Sequence, residues 1–199
     1  MKVNCDSEGI QKARNVIREG GIVIFPTDTV YGIGCDPFNK ASVERIYQIK
    51  KRDKKKALPI LTYSLEFALE IVEFDKLSKI IAQKFWPGPL TLILKLKDKK
   101  LKESLGIRNK IAIRVPDHQC LLSILKDTKF LVGTSANISG EKTYTKAQGW
   151  YTKFAGVDIF VDGGDIDNKG ESTILEIENR TPIIHRQGPI KKEEIEEYL

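Results

Sequence analysis

Apolar positions recur along this chain with two alternating spacings. Ile10, Ala13 and Ile17 lie three and four residues apart, which lines one face of a helix, with Asp6 or Ser7 as its cap and Gly20-Gly21 as its stop. Ile22-Val23-Ile24-Phe25 follows as a short, continuous, β-branched run ending at Pro26, and predicts a buried strand. Thr27-Asp28-Thr29 therefore sits at a strand's carboxyl edge, where α/β sheets commonly hold ligands. Val43, Ile46 and Tyr47 predict a helix over 41–51, which puts Lys50 to Arg52 at its carboxyl end, where cations favour the helix dipole. Further helices are predicted over 65–72, 77–85 and 191–199, and strands over 58–61, 90–96, 111–115, 130–133, 159–161 and 173–177. Trp86-Pro87-Gly88-Pro89 can continue neither a helix nor a central ladder, so it must be a turn. Helices alternating with strands give an α/β layer fold, and connections too short for helical crossovers make the sheet mixed.

Composition narrows the class. A chain of 199 residues with 41% hydrophobic content can bury a substantial core, and no repeat or linker divides it, so one domain over 1–199 is expected, with its core at about 9–190. Asp6 and Glu8 stand where a signal peptide would be apolar, and no run reaches the roughly 18 apolar residues of a membrane span, which predicts a cytoplasmic protein with no membrane partner. Cys5, Cys35 and Cys120 are too far apart for a zinc knuckle or redox pair, and their odd number argues against a disulfide framework, so free thiols are expected. The net charge of +6 points to polyanionic partners such as nucleotides or RNA. Lys97, Lys99, Lys100 and Lys102 surround an expected hairpin or loop, while Glu193, Glu194, Glu196 and Glu197 make the terminal helix acidic.

Two clusters carry candidate chemistry. Lys50-Lys51-Arg52-Asp53-Lys54-Lys55-Lys56 packs six cations into seven residues. By itself such a run reads as a solvated helix end. Gly133-Thr134-Ser135-Ala136-Asn137-Ile138-Ser139-Gly140 offers hydroxyl and amide groups on a Gly-bounded loop after an apolar strand, and the pair together suits a polyphosphate. There is no G-x-x-x-x-G-K-[ST] loop, no G-x-G-x-x-G turn and no G-x-S-x-G elbow, and Gly32-Ile33-Gly34 alone is weak, so a nucleotide must be gripped by side chains. His118 and His185 lack metal-site spacing and read as structural.

Five separated motifs then resemble one known family. Pro26-Thr27-Asp28-Thr29-Val30-Tyr31-Gly32-Ile33-Gly34-Cys35-Asp36, Lys50-x-Arg52, Trp86-Pro87-Gly88-Pro89-Leu90-Thr91, Ala112-Ile113-Arg114-Val115-Pro116 and Thr134-Ser135-Ala136-Asn137 look like the YrdC family, the L-threonylcarbamoyladenylate synthases. The likeness runs from about Gly9 to Ile190, and the chain resembles the stand-alone form. It implies a YrdC/RibB-like fold, a large twisted mixed sheet flanked by helices around a positively charged cavity. It also implies condensation of L-threonine, bicarbonate and ATP into threonylcarbamoyl-AMP and pyrophosphate. The product would pass to a separate threonylcarbamoyl transferase complex that modifies the tRNA adenosine beside the anticodon.

The resemblance also distributes roles. Lys50, Arg52, Ser135 and Asn137 match the family's K-x-R and S-x-N pairs and are expected to be catalytic and to contact ATP, joined in ATP binding by Lys56, Thr143 and Arg186. Thr29, Arg114, Thr134 and Ser172 are expected to hold threonine, Arg114 as a fork for its carboxylate. Magnesium is expected with ATP, held by phosphate oxygens and water, without a protein-built metal cage; Asp28 and Asp36 flank the first motif as the nearest carboxylates or as turn and cap residues. Longer members often read R-P-x-x-x-P-L-I-V-H where this chain reads Arg52-Asp53-Lys54-Lys55-Lys56-Ala57-Leu58-Pro59-Ile60-Leu61, so Leu61 replaces a histidine expected at threonine. Two alternatives stand beside this reading: a module binding tRNA or double-stranded RNA through its basic stretch, and an adenylating enzyme acting on another carbamoyl substrate.

Overall fold

A computed structural model describes residues 1–147, 149, 151–167 and 170–198. Its helices start where short polar side chains can satisfy free N–H groups. Asp6 accepts from Gly9 N at 2.8 Å to open α1 (Ser7–Arg18), and Asn39 accepts from Ser42 N at 3.1 Å to open α2 (Lys40–Lys50). Ser64, Asp75 and Asp98 cap α3 (Leu65–Ile71), α4 (Lys76–Phe85) and α5 (Lys99–Leu105) in the same way. His118 precedes α6 (Gln119–Thr128) with no side-chain cap, and α7 (Lys192–Glu196) forms the acidic terminal helix. Residue Leu199 of the predicted 191–199 helix lies outside the described residues.

The strands are β1 (Lys2–Asn4), β2 (Val23–Phe25), β3 (Gly32–Cys35), β4 (Ile60–Thr62), β5 (Val72–Glu73), β6 (Leu90–Leu96), β7 (Lys110–Arg114), β8 (Phe130–Ser135), β9 (Ile159–Asp162), β10 (Thr173–Glu178) and β11 (Thr181–Arg186). They form one sheet in the order β1-β9-β2-β3-β8-β4-β7-β6-β10-β11, with β5 paired to β6. The sheet is mixed as expected: β1 and β2 run parallel to β9, β4 to β7 and β6 to β10, while the other pairs are antiparallel.

Helices cover both faces. Val23 and Phe25 point into a cluster with Ala13 and Ile17 of α1 and Leu121, Ile124 and Leu125 of α6, while Ile22 and Ile24 point into the larger core on the other side. This two-sided burial is why the 22–25 run is apolar at every position rather than at alternate ones. Gly34 admits no side chain, because a Cβ there would stand 1.8 Å from Val132 O on the neighbouring strand. The glycines of Gly32-Ile33-Gly34 thus serve close packing within β3, not a phosphate turn.

Two expectations are overturned. The expected loop or hairpin around Lys97 to Lys102 is α5: Asp98 accepts from Leu101 N at 2.8 Å, and buried Leu101 and Leu105, four residues apart, anchor one face while Lys99 and Lys100 stay exposed. Lysine density conceals this helix in the sequence. Free thiols are the second failure. Cys5 and Cys120 form a disulfide with Cα atoms 5.8 Å apart across 115 residues, because α1 packing on α6 brings the end of β1 beside the start of α6. Cys35 alone is free, and it is buried.

Candidate functional site

Strand ends of the central sheet and the loops beside them line a cavity of about 410 Å³. Thr27 and Thr29 enter it after β2, and Lys50, Arg52 and Lys56 enter from the end of α2 and the loop beyond. Thr91, Arg114, Thr134 and Ser135 come from β6, β7 and β8, and Ser172 and Arg186 from the start of β10 and the end of β11. With Asn137 and Thr143, every candidate residue proposed for ATP or threonine lines this one cavity. Its wall carries the cations Lys50, Arg52, Lys56, Arg114 and Arg186 and the carboxylates Glu141 and Glu171.

The basic run is divided by the fold. Lys51, Lys54 and Lys55 face outward, Lys54 in an ion pair with Glu44 at 2.6 Å. Lys50 turns inward and is only 1% exposed. Its ammonium donates to the main-chain oxygens of Ser135 and of Asn137, the latter at 2.7 Å, and to Asn137 Oδ1 at 3.3 Å. Burial, then the nearby Arg52 charge, push its pKa down to about 8, against an opposing pull from Glu171. Arg52 curls the loop that follows, donating from Nε to Lys56 O at 2.9 Å and from Nη2 to Ala57 O at 3.1 Å. The Asn137 amide is fixed from both ends, since Oδ1 accepts from Ser135 Oγ at 2.7 Å and Nδ2 donates to Glu141 O at 2.6 Å.

Arg114 forms a second anchor of the cavity. Its Nε donates to Gly88 O at 2.9 Å, its Nη1 to Thr29 Oγ1 at 3.1 Å and its Nη2 to Asp28 Oδ1 at 2.5 Å. Gly88 belongs to the Trp86-Pro87-Gly88-Pro89 turn, so that turn has a direct role in aiming the guanidinium. Burial draws the Arg114 pKa downward and Asp28 opposes it. Asp28 also accepts from Asp117 N at 3.1 Å, and Asp36 accepts from Phe38 N at 2.9 Å, which gives both carboxylates structural work. Among the described residues no group of three or more His, Cys, Asp or Glu side chains could hold a metal ion.

Ser172 links Arg186 to Thr91. Its Oγ accepts from Arg186 Nη2 at 3.0 Å and shares a hydrogen bond with Thr91 Oγ1 at 2.8 Å. Thr91, Glu141 and Glu171 were not singled out by the sequence. For Thr91 the signal was present, since it closes the Trp86-Pro87-Gly88-Pro89-Leu90-Thr91 motif, and for Glu171 adjacency to Ser172 was the clue. Leu61 does line the cavity, and it packs so tightly that a Cβ on Gly133 would meet its Cδ1 at 2.3 Å. Neither His118 nor His185 lines it; His185 Nε2 bonds Glu176 at 2.7 Å on another part of the sheet.

A family model named Sua5_yciO_yrdC and described as "Telomere recombination" matches residues 15–188. The chain belongs to the Sua5/YciO/YrdC family. It is 34% identical over 194 residues to the threonylcarbamoyl-AMP synthase of Pyrococcus abyssi, covering 96% of this chain and 57% of that protein. The Bacillus subtilis protein of the same name is 34% identical over 192 residues, covering 94% of this chain and 55% of that protein. This Sua5/YciO/YrdC chain therefore spans a little over half the length of these curated relatives. Its fold matches the crystal structure of P. abyssi Sua5 complexed with L-threonine at a TM-score of 0.90 and 32% identity, over 100% of this chain and 61% of that one. It also matches E. coli YciO at a TM-score of 0.84 and 23% identity, over 94% of each chain, a likeness of fold alone.

Proposed function

We propose that the chain acts as an L-threonylcarbamoyladenylate synthase whose cavity binds ATP and threonine side by side. The observation that carries this reading is the seating of Lys50 against the Ser135–Asn137 turn, within one cavity that also holds Arg114 and Arg186. Both the P. abyssi and B. subtilis relatives bear the name threonylcarbamoyl-AMP synthase, and the matched P. abyssi Sua5 structure contains L-threonine. With five cations against two carboxylates on its wall, the cavity is read as positively charged.

In the proposed reaction the threonine amine adds to bicarbonate carbon with loss of water, giving a carbamate. A carbamate oxygen then attacks the α-phosphorus of ATP; the new P–O bond forms as the bond to the bridging oxygen breaks, and pyrophosphate leaves with the electron pair. Two anionic reactants must be brought together while charge grows on the leaving oxygens, so preorganised cations are the natural instrument. Lys50, Arg52, Lys56 and Arg186 are assigned to the phosphates, with Ser135, Asn137 and Thr143 completing the nucleotide side. Arg114, with Thr29, Thr134 and Ser172, is assigned to the amino acid. Asp28 leaves part of the Arg114 fork for a carboxylate, since three of its five N–H groups are engaged within the protein. Magnesium would arrive with ATP, held by phosphate oxygens and water, and would neutralise charge on the leaving pyrophosphate.

The product is an adenylate suited to a separate transferase acting on tRNA; direct contact with tRNA or double-stranded RNA would fall to the outward lysines rather than to the cavity. The deciding experiment is pyrophosphate release together with mass spectrometry of the adenylate. Release that requires threonine, bicarbonate and ATP, with threonylcarbamoyl-AMP as product, is expected. An AMP adduct formed from carbamoyl phosphate without threonine would transfer the assignment to another carbamoyl substrate.

A further inference from the structure

Glu171 is a carboxylate in the wall of a cavity read as a polyphosphate site, where its sign opposes the ligand. Its Oε2 accepts from Arg186 Nη1 at 2.8 Å. The same guanidinium donates from Nε to Ser172 O at 2.9 Å and from Nη2 to Ser172 Oγ at 3.0 Å, so two consecutive residues, Glu171 and Ser172, hold the whole fork. The influence of Glu171 reaches further: it raises the proton affinity of Lys50 and of Arg52, while Arg186 depresses that of Arg52 and Arg114. Glu171 thus acts on three cations of the wall, Lys50, Arg52 and Arg186. Its side chain is 35% exposed, so it can release Arg186 into water without stranding a buried charge.

We propose that Glu171 is an internal counter-ion and positioning residue: it holds the anion place beside Arg186, yields it to phosphate, and weakens the hold on pyrophosphate so that this product leaves. The inference rests on the adenylation reading and adds to it a residue with a task opposite to that of the cations. A cluster of fixed cations stabilises the transition state, but it also retains the fully charged leaving group. Binding both alike gains nothing in turnover. A carboxylate within the cluster lowers affinity for every bound anion, and most for the one that occupies the position beside Arg186.

Glu171→Gln separates charge from geometry, because the amide oxygen still accepts from Arg186. Calorimetric titration of the full chain with inorganic pyrophosphate in magnesium-free buffer is expected to show about tenfold tighter binding in E171Q than in the parent, the effect of one unit charge several ångströms away in a partly wet site. Product inhibition by pyrophosphate is expected to strengthen by the same factor. Glu171→Ala, which also removes the charge, serves as the second variant should E171Q fold poorly. Unchanged or weaker pyrophosphate binding in a folded charge-removing variant overturns the proposal, since a merely structural role predicts loss of affinity. A parent protein that binds no pyrophosphate would instead overturn the adenylation reading, and this inference with it.

Discussion

Lys50 Nζ donates to the main-chain oxygen of Asn137 across 2.7 Å, although 87 residues separate the two in the chain. The contact welds the end of α2 to the loop after β8 and so assembles the proposed phosphate side of the cavity. Lys50→Met removes both the charge and the donor to the Ser135 and Asn137 carbonyls. Pyrophosphate release is expected to fall at least about 100-fold, the scale of losing a group that neutralises developing charge. The melting temperature should fall as well, because buried carbonyls lose their donor.

The depressed Lys50 pKa, about 8 against an ordinary 10.5, sets a pH dependence with a definite sign. Between those values the unfolded chain keeps the proton that the folded chain has lost, so on this group alone stability rises with pH through that window. Nucleotide affinity moves the other way, because the neutral amine no longer attracts phosphate. Titration of ATP binding from pH 7 to above pH 9 is expected to show weakening above about 8, and the same titration of Lys50→Met should lack that step.

Asn137 is held with its oxygen toward Ser135 and Lys50 and its nitrogen toward Glu141 O. Asn137→Asp would turn the nitrogen into an acceptor facing a carbonyl and add an anion to the phosphate side. It is expected to lower ATP affinity more than Asn137→Ala does, by about tenfold or more. Equal affinities in the two variants, measured by calorimetry, would count against the nucleotide assignment.

Arg114 and Asp28 are an ion pair whose side chains are 7% and 14% exposed. Removing one charge leaves the other buried and uncompensated, which costs about 3–5 kcal/mol. Asp28→Asn should therefore lower stability by an amount near the low end of that range, since the amide oxygen can still accept, and chemical denaturation will measure it. Arg114→Lys keeps a charge but loses the fork, and is expected to raise the threonine KM at least about tenfold.

The Cys5–Cys120 bridge closes a loop of 115 residues. Disulfides typically stabilise by about 2–4 kcal/mol, and loops this long lie at or above the upper end of that range. Reduction with dithiothreitol should lower the denaturation midpoint, and Cys5→Ser should make the protein insensitive to the reductant. Intact mass under non-reducing conditions will detect the bridge directly.

Local patterning determined a good deal. The helices beginning after Asp6 and Asn39, the buried 22–25 and 90–96 strands and the turn at Trp86 are legible because each depends on near neighbours: apolar spacing, a capping oxygen, a proline. Motif order likewise grouped Lys50, Arg52, Arg114, Ser135 and Asn137, which the fold brings to one cavity. Helix α6 and strands β1, β3, β5 and β11 escaped, β1 and β5 because two or three residues are too few to show a period, β3 and β11 because Gly-rich and half-exposed segments carry little periodic signal. What only the tertiary structure decided is which chemically equivalent side chains face inward. Lys50 and Lys51 are neighbours with the same ammonium, yet one is buried against carbonyls of β8 and its loop and the other faces water, because the left-handed Lys51 backbone ends α2 at that step. The same holds for the joining of Cys5 to Cys120 and of Glu171 to Arg186. These pairings depend on distances across the sheet, and side-chain identity along the chain carries no record of them until the strands are in register.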